Sequence, residues 1–228
     1  YRTIRDILTN AEKCFGNEDA IRYKTGKNEI AAKTYTQLKE DSERITALLK
    51  KLGEPKSHIA LIGATSYLWI ASYFGIVDGG NVAVPLDMSL PAEELCELID
   101  RADVTILILD EIRKDVIEAA KEKCPKLKYI LSMQKEANEG NILSLTKSMM
   151  EQTIDEDTGA EKTEITPDQL CTIMFTSGTT GKSKGVMLTH RNLVENATCL
   201  DMKLPERNVL LSVLPIHHAY CLSMDILK

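Results

Sequence analysis

Three consecutive segments decide the fold class: "HIALIG" (58–63), "YLWIASYFGIV" (67–77) and "NVAVPLD" (81–87). The first and the last are short, continuously apolar runs, which are typical of strands that are buried on both faces of a sheet. The middle run is too short to span a bilayer, so it predicts a buried core helix. The segments therefore predict a strand, a helix and a second strand in succession.

The same alternation continues on both sides of these segments. The stretch "TYTQLKEDSERITALLKKLG" predicts a helix that begins with a capping box between Thr34 and Gln37 and ends at Gly53. Further along, "VTILILD" (104–110) and "KYILSM" (128–133) predict strands on either side of a charged helix. Apolar strands separated by helices indicate an α/β fold, with a mostly parallel sheet flanked by helices.

The bulk composition excludes several classes of protein. The chain has 228 residues and a net charge of -6, which argues against nucleic acid as a partner. The N-terminus "YRTIRDILTN" has no apolar signal core, and we find no integral membrane segment. Six cysteines occur without a Cys-x-x-Cys pair, which predicts reduced, buried thiols in a cytoplasmic protein.

The stretch "FTSGTTGKSKGV" at 175–186 contains Gly-Lys-Ser, the end of a Walker A nucleotide-binding loop. In that loop the first glycine would stand at position 176, where this chain has Thr176, and a helix would begin at the lysine. Instead, the glycine and apolar residues after Lys184 predict a short strand, and Thr189 is the better helix N-cap. Both spacing and context therefore argue against a P-loop kinase or NTPase.

The same loop is nevertheless suited to binding an anion. Its glycines allow a tight turn whose exposed amides form an anion-binding concavity, and its hydroxyls and lysines add donors and positive charge. The alternative is an ordinary polar surface turn, which usually has fewer such groups directly after a buried strand. The residues concerned are Thr176, Ser177, Gly178, Thr179, Thr180, Gly181, Lys182, Lys184 and Gly185.

The stretch "FTSGTTGKSKGVMLTH" resembles the phosphate-loop signature of the adenylate-forming (AMP-binding) superfamily, Thr-Ser-Gly-Thr-Thr-Gly-x-Pro-Lys-Gly-Val. Ser183 stands where the family usually has proline, which predicts a looser loop. His218 stands at the position of the family histidine. Three residues after it, where the family commonly has a glycine, this chain has Cys221. Weaker family elements occur in the expected order at "KTYTQL" (33–38), "VDGGNVAVPLDMSLPAEELCELIDRAD" (77–103) and "LPIHHAY" (214–220).

The resemblance implies an enzyme that uses ATP and Mg²⁺ to join a carboxylic acid to AMP, and then transfers the acyl group to a thiol. The thiol belongs to coenzyme A or, as the alternative, to a carrier protein. By resemblance, residues 176–181 would wrap the phosphates, with Thr176 next to the magnesium. Lys184 would neutralise pyrophosphate charge, and His218 would line the pocket for a fatty acid. The alternative for His218 is a structural histidine at the start of a helix.

The resemblance also implies that this chain is part of the large N-terminal domain of such an enzyme. We predict a first α/β subdomain at 1–165, with a polar excursion around one short helix at about 134–165, and the start of a second subdomain at 166–228. The second subdomain would carry the phosphate loop and be truncated. This piece alone is expected to be inactive. A non-catalytic nucleotide-binding or scaffold protein of the same fold, or an adenylation domain that loads a carrier protein, remains an alternative.

Overall fold

The helices and strands of the structure, a computed structural model, follow the alternation that the sequence predicts. The structure describes residues 1–53, 55–110, 113–134, 136, 138, 140–153, 163–176, 183–199 and 209–227. The helices are α1 (Ile4–Phe15), α2 (Tyr35–Leu52), α3 (Tyr67–Asp78), α4 (Ala92–Arg101), α5 (Lys114–Lys123), α6 (Leu145–Met150), α7 (His190–Thr198) and α8 (Ala219–Cys221), which leads into a π-helical turn at Leu222–Ile226. The strands are β1 (Asp19–Lys24), β2 (Ile30–Thr34), β3 (His58–Ile62), β4 (Val82–Leu86), β5 (Val104–Leu109), β6 (Tyr129–Ser132), β7 (Ile142–Ser144), β8 (Leu170–Thr176) and β9 (Lys184–Thr189).

Seven of the strands form one sheet in the order β7-β6-β5-β3-β4-β8-β9. Every neighbouring pair in this sheet is parallel except β8 and β9, which are antiparallel. The predicted mostly parallel sheet flanked by helices is therefore confirmed. Strands β1 and β2 form a separate antiparallel hairpin.

Helices cover both faces of the large sheet, and each face has its own apolar cluster. The α3 face is the side on which α1, α2, α3, α6 and α7 pack, with Ile45 and Trp69 among its fully buried side chains. The α4 face is the opposite side, where α4 and α5 pack, with Leu95 and Ile99 in its core. Burial on both faces explains why β3, β4 and β5 are continuously apolar rather than alternating.

Helix α3 confirms the core helix that the sequence predicts. Ser66 precedes it in extended conformation, and its hydroxyl accepts a hydrogen bond from the amide of Trp69. Ten of its twelve residues are buried, so the helix has no polar face. The chain then turns sharply at Gly80, whose φ of 75° lies in the region that glycine tolerates, and enters β4.

The predicted polar excursion contains one more element than the sequence indicates. Residues 142–144 form β7, which pairs in parallel with β6 at the edge of the sheet and runs directly into α6. A strand of three residues is too short to show a periodic pattern, so the prediction of a single short helix was incomplete. Residues 154–162 of the excursion lie outside the described residues.

The proposed division of the chain at residue 166 crosses this same sheet. Strand β8, which follows the boundary, joins the edge of β4, which precedes it. The hydroxyl of Tyr73 also lies 3.0 Å from the hydroxyl of Thr172 in β8. The division into two subdomains stays a prediction. The pairing of β8 with β4 places strands of both predicted subdomains in one sheet.

Two of the six cysteines differ from the expectation. All six are free thiols, and four of them are buried. Cys14 and Cys199 are exposed, because one lies in the last turn of α1 and the other ends α7, both on surfaces that no other described element covers. The prediction of buried thiols is therefore wrong for these two. No helix in the described part of the chain is long and apolar enough to cross a membrane.

Candidate functional site at the β8–β9 hairpin

The predicted phosphate loop connects β8 to β9. In the antiparallel ladder, Thr176 is the partner of Lys184, and Phe175 is the partner of Gly185. The short strand predicted after the loop is thus confirmed. Residues 177–182 lie outside the described residues, and with them the predicted binding residues Ser177, Gly178, Thr179, Thr180 and Gly181.

Thr176 and Lys184 form the two described ends of this loop. Because directly opposite residues of an antiparallel pair point to the same side of the sheet, their side chains share one face. Thr172 and Met174 have the same parity along β8, and both pack on the α3 face. Thr176 and Lys184 therefore project on the α3 face, where both are exposed.

The hairpin leads into α7 through the N-cap that the sequence predicts. The Thr189 hydroxyl accepts from the amide of Asn192, and the Asn192 side-chain oxygen accepts from the amide of Thr189. The next residue, His190, is fully buried, and its Nδ1 accepts a hydrogen bond of 3.3 Å from the amide of Ile4. His190 thus packs at the helix start.

His217 contacts the end of a neighbouring strand. Its Nε2 lies 3.7 Å from Oδ2 of Asp87, the residue after β4, and the amide of Ser89 donates to Oδ1 of Asp87 at 2.8 Å. Partial burial opposes ionisation of Asp87, but the hydrogen bonds from Ser89, together with the electrostatic effect of His217 and His218, outweigh it and lower the pKa of Asp87. Burial lowers the pKa of His217, while Asp87 acts in the opposite direction.

His218, the histidine that the resemblance assigns to the acyl pocket, has a different environment from His217. It is exposed, occupies the N-cap position of α8 and makes no side-chain capping bond. Its ring centroid lies 5.6 Å from that of His217. The helix-start position expected under the structural alternative is therefore present, and His217 is the histidine that contacts Asp87. No group of three or more metal-ligating side chains occurs among the residues that the structure describes.

Strand β4, which ends directly before Asp87, and strand β8, which ends at Thr176, are parallel neighbours. Their carboxyl ends lie at the same edge of the sheet, where open α/β folds bind their ligands. Asp87 continues the parity of Ala83, which packs on the α3 face, so it projects on the same side as Thr176. Asp87 was missed as a site residue, although a carboxylate directly after a buried strand was a usable signal.

The AMP-binding enzyme family matches residues 9–227. The chain belongs to this family. The predicted membership of the adenylate-forming superfamily is confirmed, since the match covers nearly the whole chain and includes both motifs of the site.

Relatives of this chain include ligases with different acceptors. A long-chain-fatty-acid–CoA ligase of Thermus thermophilus is 26% identical over 95% of this chain and 40% of its own length. A D-alanine–D-alanyl carrier protein ligase of Streptococcus equi is 29% identical over 80% of this chain and 33% of its own. The chain thus spans about a third to two fifths of these relatives.

The fold is shared with a solved N-terminal domain. The inhibitor-bound N-terminal domain of FACL13 from Mycobacterium tuberculosis has a TM-score of 0.82 and 22% sequence identity, covering 100% of this chain and 54% of that one. This likeness concerns the fold alone, and it agrees with the fold class that the sequence predicts.

Proposed function

We propose that this chain is the N-terminal part of an ATP-dependent acyl-CoA synthetase. The enzyme activates a carboxylic acid, a fatty acid, as acyl-AMP and transfers the acyl group to the thiol of coenzyme A. The observation that carries the proposal is the register of the β8–β9 hairpin. It makes Thr176 and Lys184 opposite partners at the carboxyl edge of the sheet, one at each end of the phosphate loop.

The chemistry of the first step explains why such a hairpin is useful. A carboxylate must approach an anionic phosphate, and the leaving pyrophosphate gains negative charge. Donors that are already in place when charge develops lower this barrier most, because they need no reorganisation. The antiparallel ladder holds the hydroxyl of Thr176 and the ammonium of Lys184 on one face, and the loop amides of 177–181 would supply further donors.

Thr176 is also the residue that we propose for magnesium. Its exposed hydroxyl is a hard oxygen ligand of the kind that Mg²⁺ accepts. Magnesium usually keeps several waters and is held by one or two protein oxygens together with substrate phosphates, so it does not need a protein cage. When bound, the ion would neutralise phosphate charge, while this chain would contribute the hydroxyl and the lysine.

The acid and the acceptor thiol are proposed from the relatives. The long-chain-fatty-acid–CoA ligase relative supports a fatty acid and coenzyme A. We place the acid near His218 and the Asp87–His217 pair, at the same edge as the loop. The carrier protein ligase relative favours a second candidate function, in which a carrier-protein thiol is the acceptor.

The role of Lys184 is tested by replacing it with alanine in the full-length protein. We expect carboxylate-dependent exchange of pyrophosphate into ATP to fall about 100-fold or more, because one preorganised donor to developing charge is lost. Far-UV circular dichroism and urea unfolding should stay unchanged, since Lys184 is exposed.

The matched control is Lys123→Ala, which removes another exposed lysine, paired with Glu93 away from the hairpin. It should exchange pyrophosphate like the wild type. Wild-type exchange in Lys184→Ala would refute the proposed role. Absence of exchange in the wild type with every acid tried would favour the non-catalytic alternative.

The acceptor is identified by supplying coenzyme A or a phosphopantetheinylated carrier protein to the full-length enzyme with ATP and a fatty acid. We expect acyl-CoA thioester in the first reaction. Thioester that forms only on the carrier protein would replace our proposal with the second candidate function.

A further inference from the structure

Arg101, the last residue of α4, reaches β8 and the residue that leads into β9. Its Nη2 donates a hydrogen bond of 2.8 Å to the backbone carbonyl of Ser183, and its guanidinium carbon lies 5.7 Å from the centroid of the Phe175 ring. Ser183 directly precedes Lys184, and Phe175 directly precedes Thr176. One side chain thus contacts Phe175 in β8 and Ser183 directly before β9, so it bridges the two sides of the phosphate loop.

Arg101 approaches the hairpin from the side opposite to the candidate site. Phe175 packs against the apolar cluster of the α4 face, which includes Leu98 and Ile99 of the same helix. Thr176 and Lys184 project on the α3 face, as their register and parity require. Arg101 therefore contacts the hairpin without sharing the face from which a phosphate ligand would be bound.

The hairpin has few local constraints at the positions that Arg101 contacts. Gly185, opposite Phe175, contributes no side chain to the cross-strand pair, and an added Cβ would lie only 3.2 Å from Ile173 and 3.4 Å from the Phe175 ring. A glycine in a strand weakens the ladder. Ser183 stands where the family pattern has proline, so no ring fixes the φ angle of this residue.

Arginine is well suited to this task. Its planar guanidinium can stack on an aromatic ring and donate in its own plane at the same time, which a lysine ammonium cannot do. Glu97, one turn earlier on α4, lies 3.7 Å from Nη1 and faces the same guanidinium. Both side chains are exposed, so this long ion pair contributes little, and the bond from Nη2 to Ser183 does not depend on it.

We propose that Arg101 is a positioning residue that holds the two ends of the phosphate loop at their productive separation. The inference rests on the proposed function only in that the loop binds the phosphates of ATP. Loss of the contact should raise the KM for ATP roughly tenfold, the effect of one charge-assisted hydrogen bond. The KM for the carboxylic acid should stay unchanged, because Arg101 lies on the opposite face.

The first measurement is amide hydrogen exchange of the nucleotide-free, full-length protein, followed by mass spectrometry of peptides that span 176–186. We expect Arg101→Gln to speed exchange in these peptides and to leave β3 and β5 unchanged. Arg101→Lys, which keeps the charge but cannot stack and donate together, should give the same local change at smaller amplitude. The matched control, Glu97→Gln, keeps the bond to Ser183 and should exchange like the wild type. Wild-type exchange in both Arg101 variants would overturn the proposal.

The second measurement separates this inference from the proposed function. The KM values for ATP and for the acid are measured by pyrophosphate exchange in the same variants. A higher KM for ATP alone supports the positioning role, and a faster-exchanging loop with an unchanged KM for ATP overturns it. If the wild type neither exchanges pyrophosphate nor binds magnesium-ATP, but Arg101→Gln still speeds local exchange, the contact stands and the proposed function fails.

Discussion

At the scale of single residues, His190 shows how one buried side chain joins the phosphate-loop hairpin to the start of the chain. Its ring is fully buried, and Nδ1 accepts from the amide of Ile4. Nε2 is buried with no hydrogen-bond partner among the described residues. Burial, followed by the positive charge of Arg5, lowers the pKa of His190 to about 4.

This pKa predicts how stability depends on pH. In the unfolded chain the imidazole has its ordinary pKa of 6.5, so below that pH the unfolded state binds the proton more readily than the folded state. The contribution of His190 is therefore complete above pH 6.5 and is lost as the pH falls towards 4. The loss amounts to ~3 kcal/mol, at about 1.4 kcal/mol for each pH unit.

Urea unfolding of the wild type and of His190→Gln at pH 7, 6, 5 and 4.5 measures this contribution. The glutamine does not titrate in this range, so the free energy of unfolding should fall less steeply with acid in the variant. Carboxylates contribute equally to both proteins and cancel in the difference. Parallel slopes would show that His190 is protonated as easily in the folded as in the unfolded state.

Site residues were predictable from the sequence only where they lie in a contiguous motif. Thr176 and Lys184 belong to one short stretch, and the spacing within it carries the information. Asp87 and Arg101 contact His217 and Ser183, which are distant in sequence. Arg101 and Ser183 are 82 positions apart, and nothing local to either residue indicates the other.

At the scale of elements, α2 and α3 pack so closely that a glycine is required between them. A Cβ added to Gly75 in α3 would lie 2.7 Å from Cγ2 of Ile45 and 2.8 Å from the backbone oxygen of Ser42, both in α2. The hydroxyl of Thr46 also donates to the carbonyl of Gly75 at 2.8 Å. The glycine thus sets the distance between the two helices.

Gly75→Ala should lower the free energy of unfolding by about 1–3 kcal/mol, the usual effect of overpacking a tight core. Alanine is the better helix former by ~1 kcal/mol, so a loss would show that packing outweighs propensity. The control is Gly26→Ala, where the added Cβ would meet only the Glu29 side chain, at 3.4 Å. Urea unfolding that ranks both variants equal to the wild type would contradict the tight contact.

Helix α2 was predictable from its local signals, whereas strand β7 was not. Helix α2 has its capping box at Thr34 and Gln37 and its end at Gly53, as expected. Strand β7 has only three residues, and its pairing with β6 determines its structure. A segment of that length has too few side chains to distinguish strand from loop.

At the scale of the whole molecule, the strands before and after residue 166 belong to one sheet. Helix α1 contacts elements on both sides of that residue. Ile4 of α1 donates its amide to Nδ1 of His190 in α7, and Arg5 of α1 forms an ion pair with Asp78 at the end of α3. The α3-face cluster also includes residues from both α1 and α7. These contacts predict cooperative unfolding of the 228-residue chain.

We expect one urea midpoint from two probes. Fluorescence of Trp69, the single tryptophan, reports the first part of the chain, and hydrogen exchange of β8 peptides reports the second. Coincident midpoints are the expected result, because unfolding of β8 would expose the hydrogen-bonding edge of β4. Loss of protection in β8 at lower urea would instead support two subdomains of separate stability.

Local order along the chain was enough to specify α2, α3, the apolar strands β3 to β6, the mostly parallel sheet and the loop motif. Capping residues, apolar runs and glycine spacing act over a few positions, so one sequence displays them directly. The placement of β8 beside β4, the Asp87–His217 contact and the Arg101 contact with Ser183 arise only once the chain has folded. Distant residues come together because both apolar faces of the sheet must be buried and because helices connect one strand to the next. Neither effect depends on which residues are neighbours in the sequence.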